Sequence, residues 1–198
     1  MALDAYPGNV TAVAFDYGQR HRIELEQAGL IAKMAGVSFR VIDCTWMAGL
    51  SQNSLTSIDI PIAQLPGELP NTFVDGRNLF FLSIAAVIAK QQAIHTLYTG
   101  VCETDFSGYP DCRNAFIRSL ETTLGLALDY AIDIQTPLMW LSKADTVRRM
   151  QTLGKLDWYA HTHTCYEGLR PACGTCPACL LRLRGFKDAG VVDPIPYL

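Results

Sequence analysis

Long apolar runs are missing from this chain. Its most apolar extended stretch, Leu79 to Ile94, is interrupted by Ser83, Lys90, Gln91 and Gln92, which makes it too short and too polar to cross a bilayer. An excess of positive charge is missing as well: 16 Lys and Arg face 19 Asp and Glu, for a formal net charge of -3. No whole-molecule attraction to nucleic acid or anionic lipid is therefore expected. Residues 1–7 do not show a basic stretch followed by an apolar run, so no secretory signal is read there. The glycines at 18, 36, 49, 67 and 76 are isolated, and none belongs to a run that could cradle a phosphate. No internal repeat or low-complexity tract appears. What is present, 49% hydrophobic and 18% charged residues over 198 positions, fits one ordinary globular domain with a small appendage.

The seven cysteines are the strongest signal. Without an export route they are expected in the reducing cytoplasm, where clustered thiols hold metal rather than pair as disulfides. Four follow the spacing Cys165, then Cys173-Gly-Thr-Cys176-Pro-Ala-Cys179. Two residues between cysteines allow a tight turn to aim both sulfurs at one point, and Cys165 supplies the fourth ligand of a closed tetrahedron. A structural Zn2+, one per chain, is the expected occupant. Four protein ligands leave no open position for a substrate. The competing readings are a pair of disulfides, a redox CxxC, or His161 or His163 in place of one thiolate. Cys44, Cys102 and Cys112 are assigned to packing.

Upstream of the cluster, strand-like and helix-like segments alternate. Strands are expected at Thr11–Phe15, Phe39–Asp43, Thr96–Val101 and Ile132–Thr136, and helices at His21–Ala35, Leu79–Gln92, Cys112–Leu128 and Ser142–Leu153. Gly36 reads as a helix stop, Asn78 as an N-cap, and Ser142 with Asp145 as a capping box. Gln52–Asn71, with prolines at 61, 66 and 70, reads as a long loop. The alternation implies an α/β fold with a mainly parallel sheet, and two regions: an α/β body over residues 1–160 and a cysteine-rich segment over 161–198.

Three loops carry clustered polar chemistry: FDYGQRH (15–21), NTFVDGRN (71–78) and TGVCETDFSGYPDCR (99–113). Each follows a strand or opens a helix, where α/β proteins place ligand loops and anion sites. Together with TPLMWLSKAD (136–145) and the C-x7-C-x2-C-x2-C cluster, these stretches resemble the 7-cyano-7-deazaguanine synthase family, QueC type, over about Val10 to Arg184. The resemblance implies a Rossmann-like, ATP-pyrophosphatase-type parallel sheet of the adenine nucleotide alpha hydrolase kind, a C-terminal zinc segment and a homodimer. It implies a ligase that uses ATP and ammonia to convert 7-carboxy-7-deazaguanine, through an amide, to the nitrile. Under it, Arg77, Asp105 and Asp111 are the catalytic candidates. Arg20, His21, Asn78, Glu103, Tyr109 and Arg113 are the substrate-binding candidates. Carboxylates suit the amino-pyrimidine edge of a deazaguanine, and guanidinium suits a carboxylate or phosphate in bidentate fashion.

Family members also carry a first strand running into a Ser-Gly-Gly-x-Asp-Ser loop that holds ATP phosphates. No such loop stands in this sequence. The expectation is a sheet lacking its first strand, with ATP binding dependent on an upstream segment. The alternative reading is a non-catalytic, zinc-bearing binding or oligomerisation module of the same descent. A third reading, a zinc-ribbon nucleic-acid binder using Arg170, Arg182 and Arg184, is disfavoured by the acidic balance.

Overall fold

A computed structural model describes residues 1–63, 68–104 and 108–198. The chain is mixed α/β and divides into two compact units, Met1–Ala2 with Asp75–Leu141, and Leu3–Val74 with Ser142–Leu198. A four-residue helix α1 (Ala2–Ala5) opens it.

In the second unit, β1 (Thr11–Asp16) and β2 (Ser38–Asp43) pair in parallel, from Thr11 opposite Ser38 to Asp16 opposite Asp43. The crossover helix α2 (Ile23–Ala35) packs on both strands. It ends at Gly36, whose φ of 67° is the left-handed conformation that a helix stop requires. The helix starts two residues later than His21 because Arg20 is drawn aside, its backbone N–H donating to Leu55 O at 2.8 Å.

Later in the same unit, the helices Lys143–Thr152 (α5, after two helices of the first unit) and Pro177–Ala189 (α6) pack together. The Ser142–Asp145 capping box is formed, with Asp145 N–H donating to Ser142 Oγ at 3.1 Å and Ser142 N–H to Asp145 Oδ2 at 3.3 Å. Gly185 lets the two helices approach: a Cβ there would stand 2.5 Å from Lys143 Cγ and 2.9 Å from its Cβ.

In the first unit, α3 (Arg77–Gln91), β3 (Thr96–Tyr98), α4 (Asn114–Leu128) and β4 (Asp133–Gln135) follow one another, and β3 pairs with β4 in parallel. Leu82, Ala86 and Ala89 of α3 meet Ile117, Leu120 and Leu124 of α4 in one core with Ile132, Ile134 and Met139. These positions recur at three- and four-residue intervals, the spacing of a single helix face.

Several boundaries differ from expectation. The strand expected over 96–101 keeps only three residues: Thr99 N–H still reaches Gln135 O at 3.0 Å, and the chain then leaves the ladder. Asn78 is not the N-cap of α3; that position belongs to Gly76, at φ 69°. Cys112 precedes α4, because Pro110–Cys112 form a 3₁₀ turn and Arg113 is extended. Among the described residues the expected parallel sheet takes the form of two two-stranded pairs, one in each unit. The tail after His161 contains the full helix α6, which composition concealed behind its cysteines.

Candidate metal centre and candidate substrate loops

The cysteine segment is shaped by its two small turns. Gly174, at φ 71°, reverses the chain between Cys173 and Cys176. That reversal points the N–H groups of Thr175 and Cys176 at Cys173 Sγ, at 3.5 and 3.3 Å. Cys176 is the N-cap of α6 and Pro177 its first residue, where a missing N–H costs nothing. Cys179 therefore lies on the first turn, facing back. Cys165 arrives from the preceding loop, its sulfur accepting from Cys173 N–H at 3.5 Å.

The four ligand atoms lie within 4.8 Å of one another. Cys173 and Cys179 sulfurs are 3.9 Å apart, and none of the four is in a disulfide. Two sulfurs each ~2.3 Å from one tetrahedral centre are separated by roughly 3.8 Å, so the set fits a four-thiolate metal site. Cys165, Cys176 and Cys179 are buried, with Ala172, Ala178, Ile195 and Tyr197 packed around them. Burial raises the Cys173 thiol, but the N–H donors of Thr175 and Cys176 outweigh it and bring the group down to about 6. Burial pushes Cys176 and Cys179 up. A bound dication would displace the protons those two retain.

The C-terminal residues close over this segment. Ala172 N–H donates to Pro196 O at 3.0 Å and Leu198 N–H to Ala172 O at 2.9 Å. Arg182 of α6 reaches the same tail through Asp193, and Tyr197 Oη donates to Asp193 Oδ2 at 2.6 Å. Asp193 was not singled out from sequence, and Arg182 only as a contact of the disfavoured nucleic-acid reading; here its guanidinium is turned inward onto Asp193. An arginine on the buried side of a helix that begins with two candidate ligands was the available signal.

In the first unit, Arg77, Asn78, Tyr109 and Asp111 come together. Asp111, 5% exposed, accepts the Asn78 backbone N–H at 3.0 Å. A carboxylate thus already occupies the N-terminus of α3, the position where an exogenous anion was a candidate. The Asn78 side chain turns to the same segment, Nδ2 donating to Asp111 O at 3.2 Å and to Cys112 Sγ at 3.4 Å. The Arg77 guanidinium stands 5.8 Å from the centroid of the buried Tyr109 ring. Cys112 is pushed up to about 11, chiefly by burial and next by the Asp111 charge, which suits a packing residue better than a nucleophile. Glu103 serves α4: its Oε2 accepts from Asn114 N–H at 2.9 Å. Arg113 is exposed at the N-cap of α4. Asp105 lies outside the described residues.

Arg20 and His21 lie in the second unit. The Arg20 guanidinium donates to the carbonyls of Ser54, Ile58 and Ile60 at 3.2–3.4 Å. His21 is 5% exposed, its Nε2 3.3 Å from Glu24, and its Nδ1 is buried with no hydrogen-bond partner among the described residues. Among the described residues no helix is long and apolar enough to cross a membrane. Residues 1–190 match a family model described as Queuosine biosynthesis protein QueC, and the chain belongs to the QueC family, which places it in queuosine biosynthesis among ligase-type enzymes.

Proposed function

We propose that this chain serves the conversion of 7-carboxy-7-deazaguanine, ammonia and ATP to 7-cyano-7-deazaguanine, on an ATP-pyrophosphatase-type body (residues 1–160) with one structural zinc in residues 161–198. The sequence of that body carries no Ser-Gly-Gly-x-Asp-Ser phosphate loop, and the turnover depends on that loop. The observation that carries the reading is the family match over residues 1–190 in a chain whose four cysteine sulfurs converge within 4.8 Å. ATP activates the substrate carboxylate, and ammonia displaces the activated oxygen to give the amide. A second ATP activates the amide oxygen in the same way, and that oxygen leaves with the nucleotide fragment, with loss of the two N–H protons, to give the nitrile. With four thiolate ligands the zinc supplies structure and offers no open coordination position.

Arg77 and Arg113 are the groups for the substrate carboxylate or the nucleotide phosphates, since a guanidinium pairs with either in bidentate geometry. Arg77 is backed by Tyr109, which limits the rotamers it must surrender on binding. Asp105, Asp111 and Glu103 are the carboxylates for the amino-pyrimidine edge. Asn78 ties Asp111 to the first turn of α3. The Nδ1 of His21, without a partner among the described residues, supports a role for that ring, with Arg20, toward the substrate, because a buried polar atom left unpaired costs ~1–3 kcal/mol. The protein is read as a cytoplasmic homodimer that handles small molecules and not nucleic acid.

The test is calorimetric titration of the zinc-loaded chain with 7-carboxy-7-deazaguanine, followed by incubation with ATP and ammonium and mass detection of the nitrile. Arg77→Ala and Asp105→Asn should weaken substrate binding or raise KM about tenfold or more, the scale of one lost charge-assisted hydrogen bond. Binding without nitrile formation would favour the non-catalytic module of the same descent. Absence of both binding and product would contradict the proposal.

A further inference from the structure

Cys165 is a candidate metal ligand, and each of the three residues after it bears on the Arg20–His21 turn. Gly168 donates its N–H to Cys165 O at 3.0 Å, closing a tight loop, with φ at 70°. A Cβ at Gly168 would stand 3.1 Å from Arg20 O and 3.1 Å from His21 Cα, so the two backbones are in contact. The Glu167 carboxylate is 3.7 Å from the Arg20 guanidinium, with side chains 37% and 14% exposed. The Tyr166 ring lies 6.0 Å, centroid to centroid, from the His21 ring. The same loop is wired into the cysteine cluster: the Tyr166 backbone N–H donates to the Cys176 sulfur, and His163 Nε2 lies 2.9 Å from Cys165 O. From its other side the Arg20 turn is gripped by Leu55 O and by the carbonyls of Ser54, Ile58 and Ile60.

We propose that Tyr166, Glu167 and Gly168 are positioning residues through which metal occupancy fixes the Arg20–His21 turn. The physical reason is local. A loop of four residues containing glycine is loose by itself, and fixing each backbone residue costs about 1–2 kcal/mol. A tetrahedral metal immobilises Cys165 at one end of that loop and Cys176, which holds the Tyr166 N–H, at its side. The Tyr166 ring, the Glu167 carboxylate and the Gly168 backbone are then presented to the turn in one arrangement. Without the metal the loop samples others, and Arg20 and His21 lose one of their two supports. The inference concerns this chain's own loops and stands apart from the ligase reading.

Coupling between sites is reciprocal: if the metal holds the turn, the turn must hold the metal by the same factor. Zinc affinity is therefore measured by competition against a chromophoric chelator in the wild type, Arg20→Ala, Glu167→Gln and the double variant. Arg20→Ala, which touches no sulfur, should weaken zinc several-fold to tenfold. Glu167→Gln should do likewise, and the double variant should be no weaker than Arg20→Ala alone. Should Arg20→Ala fail to fold, Arg20→Lys takes its place, since it keeps the charge and loses the fork. In parallel, hydrogen exchange of peptides covering residues 18–23 should speed at least tenfold on chelation, with the β1–β2 amides unchanged. Wild-type zinc affinity in both single variants, simple additivity in the double, or exchange at 18–23 indifferent to chelation would each overturn the proposal. A protein that takes up no zinc would overturn this and the metal assignment together, whereas a failed nitrile assay would leave it intact.

Discussion

Arg182 and Asp193 meet as a two-pronged pair, Nε to Oδ2 at 2.7 Å and Nη2 to Oδ1 at 2.8 Å, with each side chain about 5% exposed. The remaining Arg182 donors reach Thr162 Oγ1 at 2.6 Å, Thr164 Oγ1 at 3.3 Å and Tyr159 O at 3.2 Å. A buried ion pair is expensive to form and more expensive to break, because one partner then stays charged and unpaired. Asp193→Ala should therefore cost ~3–5 kcal/mol. Urea denaturation of metal-loaded protein checks it, and a loss below about 1 kcal/mol would show that solvent already screens the pair.

Acid should weaken the same connection. Burial alone would raise the Asp193 carboxyl, but hydrogen bonds from Arg182 and Tyr197 outweigh it and hold the folded value below the ordinary one. A depressed carboxyl contributes stability that is fully present above its unfolded value, about 3.9, and is lost as pH falls through the lower folded value. Denaturation midpoints should therefore fall below about pH 4, and Asp193→Asn should flatten that part of the profile. An identical acid slope in the variant would remove Asp193 from the account.

Gly185→Ala tests the close approach of α5 and α6. The added methyl would lie 2.5 and 2.9 Å from Lys143 Cγ and Cβ, and 3.3 Å from its backbone carbon. Alanine is the better helix former by about 1 kcal/mol, so propensity alone predicts a gain. Overpacking of ~1–3 kcal/mol should win and lower the melting temperature. A raised melting temperature would mean that the helices separate freely.

Much of this was open to reading in the residues. The four-cysteine spacing specified a convergent ligand set, since two-residue gaps with Gly174 and Pro177 leave the chain little choice but to fold back. Gly36 and the Ser142–Asp145 box marked their helix ends correctly, because both are local chemistry between residues at most four apart. What escaped depended on distant partners. Asn78 reads as an N-cap by type, but Asp111, 33 positions away, supplies the carboxylate at that helix end. Helix α6 was hidden because Ala178, Cys179, Arg182, Gly185 and Phe186 form its buried face, and a cysteine, an arginine and a glycine do not register as an apolar stripe. The hold of Gly168 on Arg20 and His21 spans 147 positions and leaves no local pattern at all.

The most direct measurement is X-ray absorption at the zinc edge on purified protein, combined with metal analysis. The account predicts one zinc per chain with four sulfur neighbours at ~2.3 Å and no nitrogen or oxygen in the ligand sphere. Zinc-free protein with Cys165, Cys173, Cys176 and Cys179 paired as disulfides, or a zinc held by fewer than four sulfurs, would contradict it.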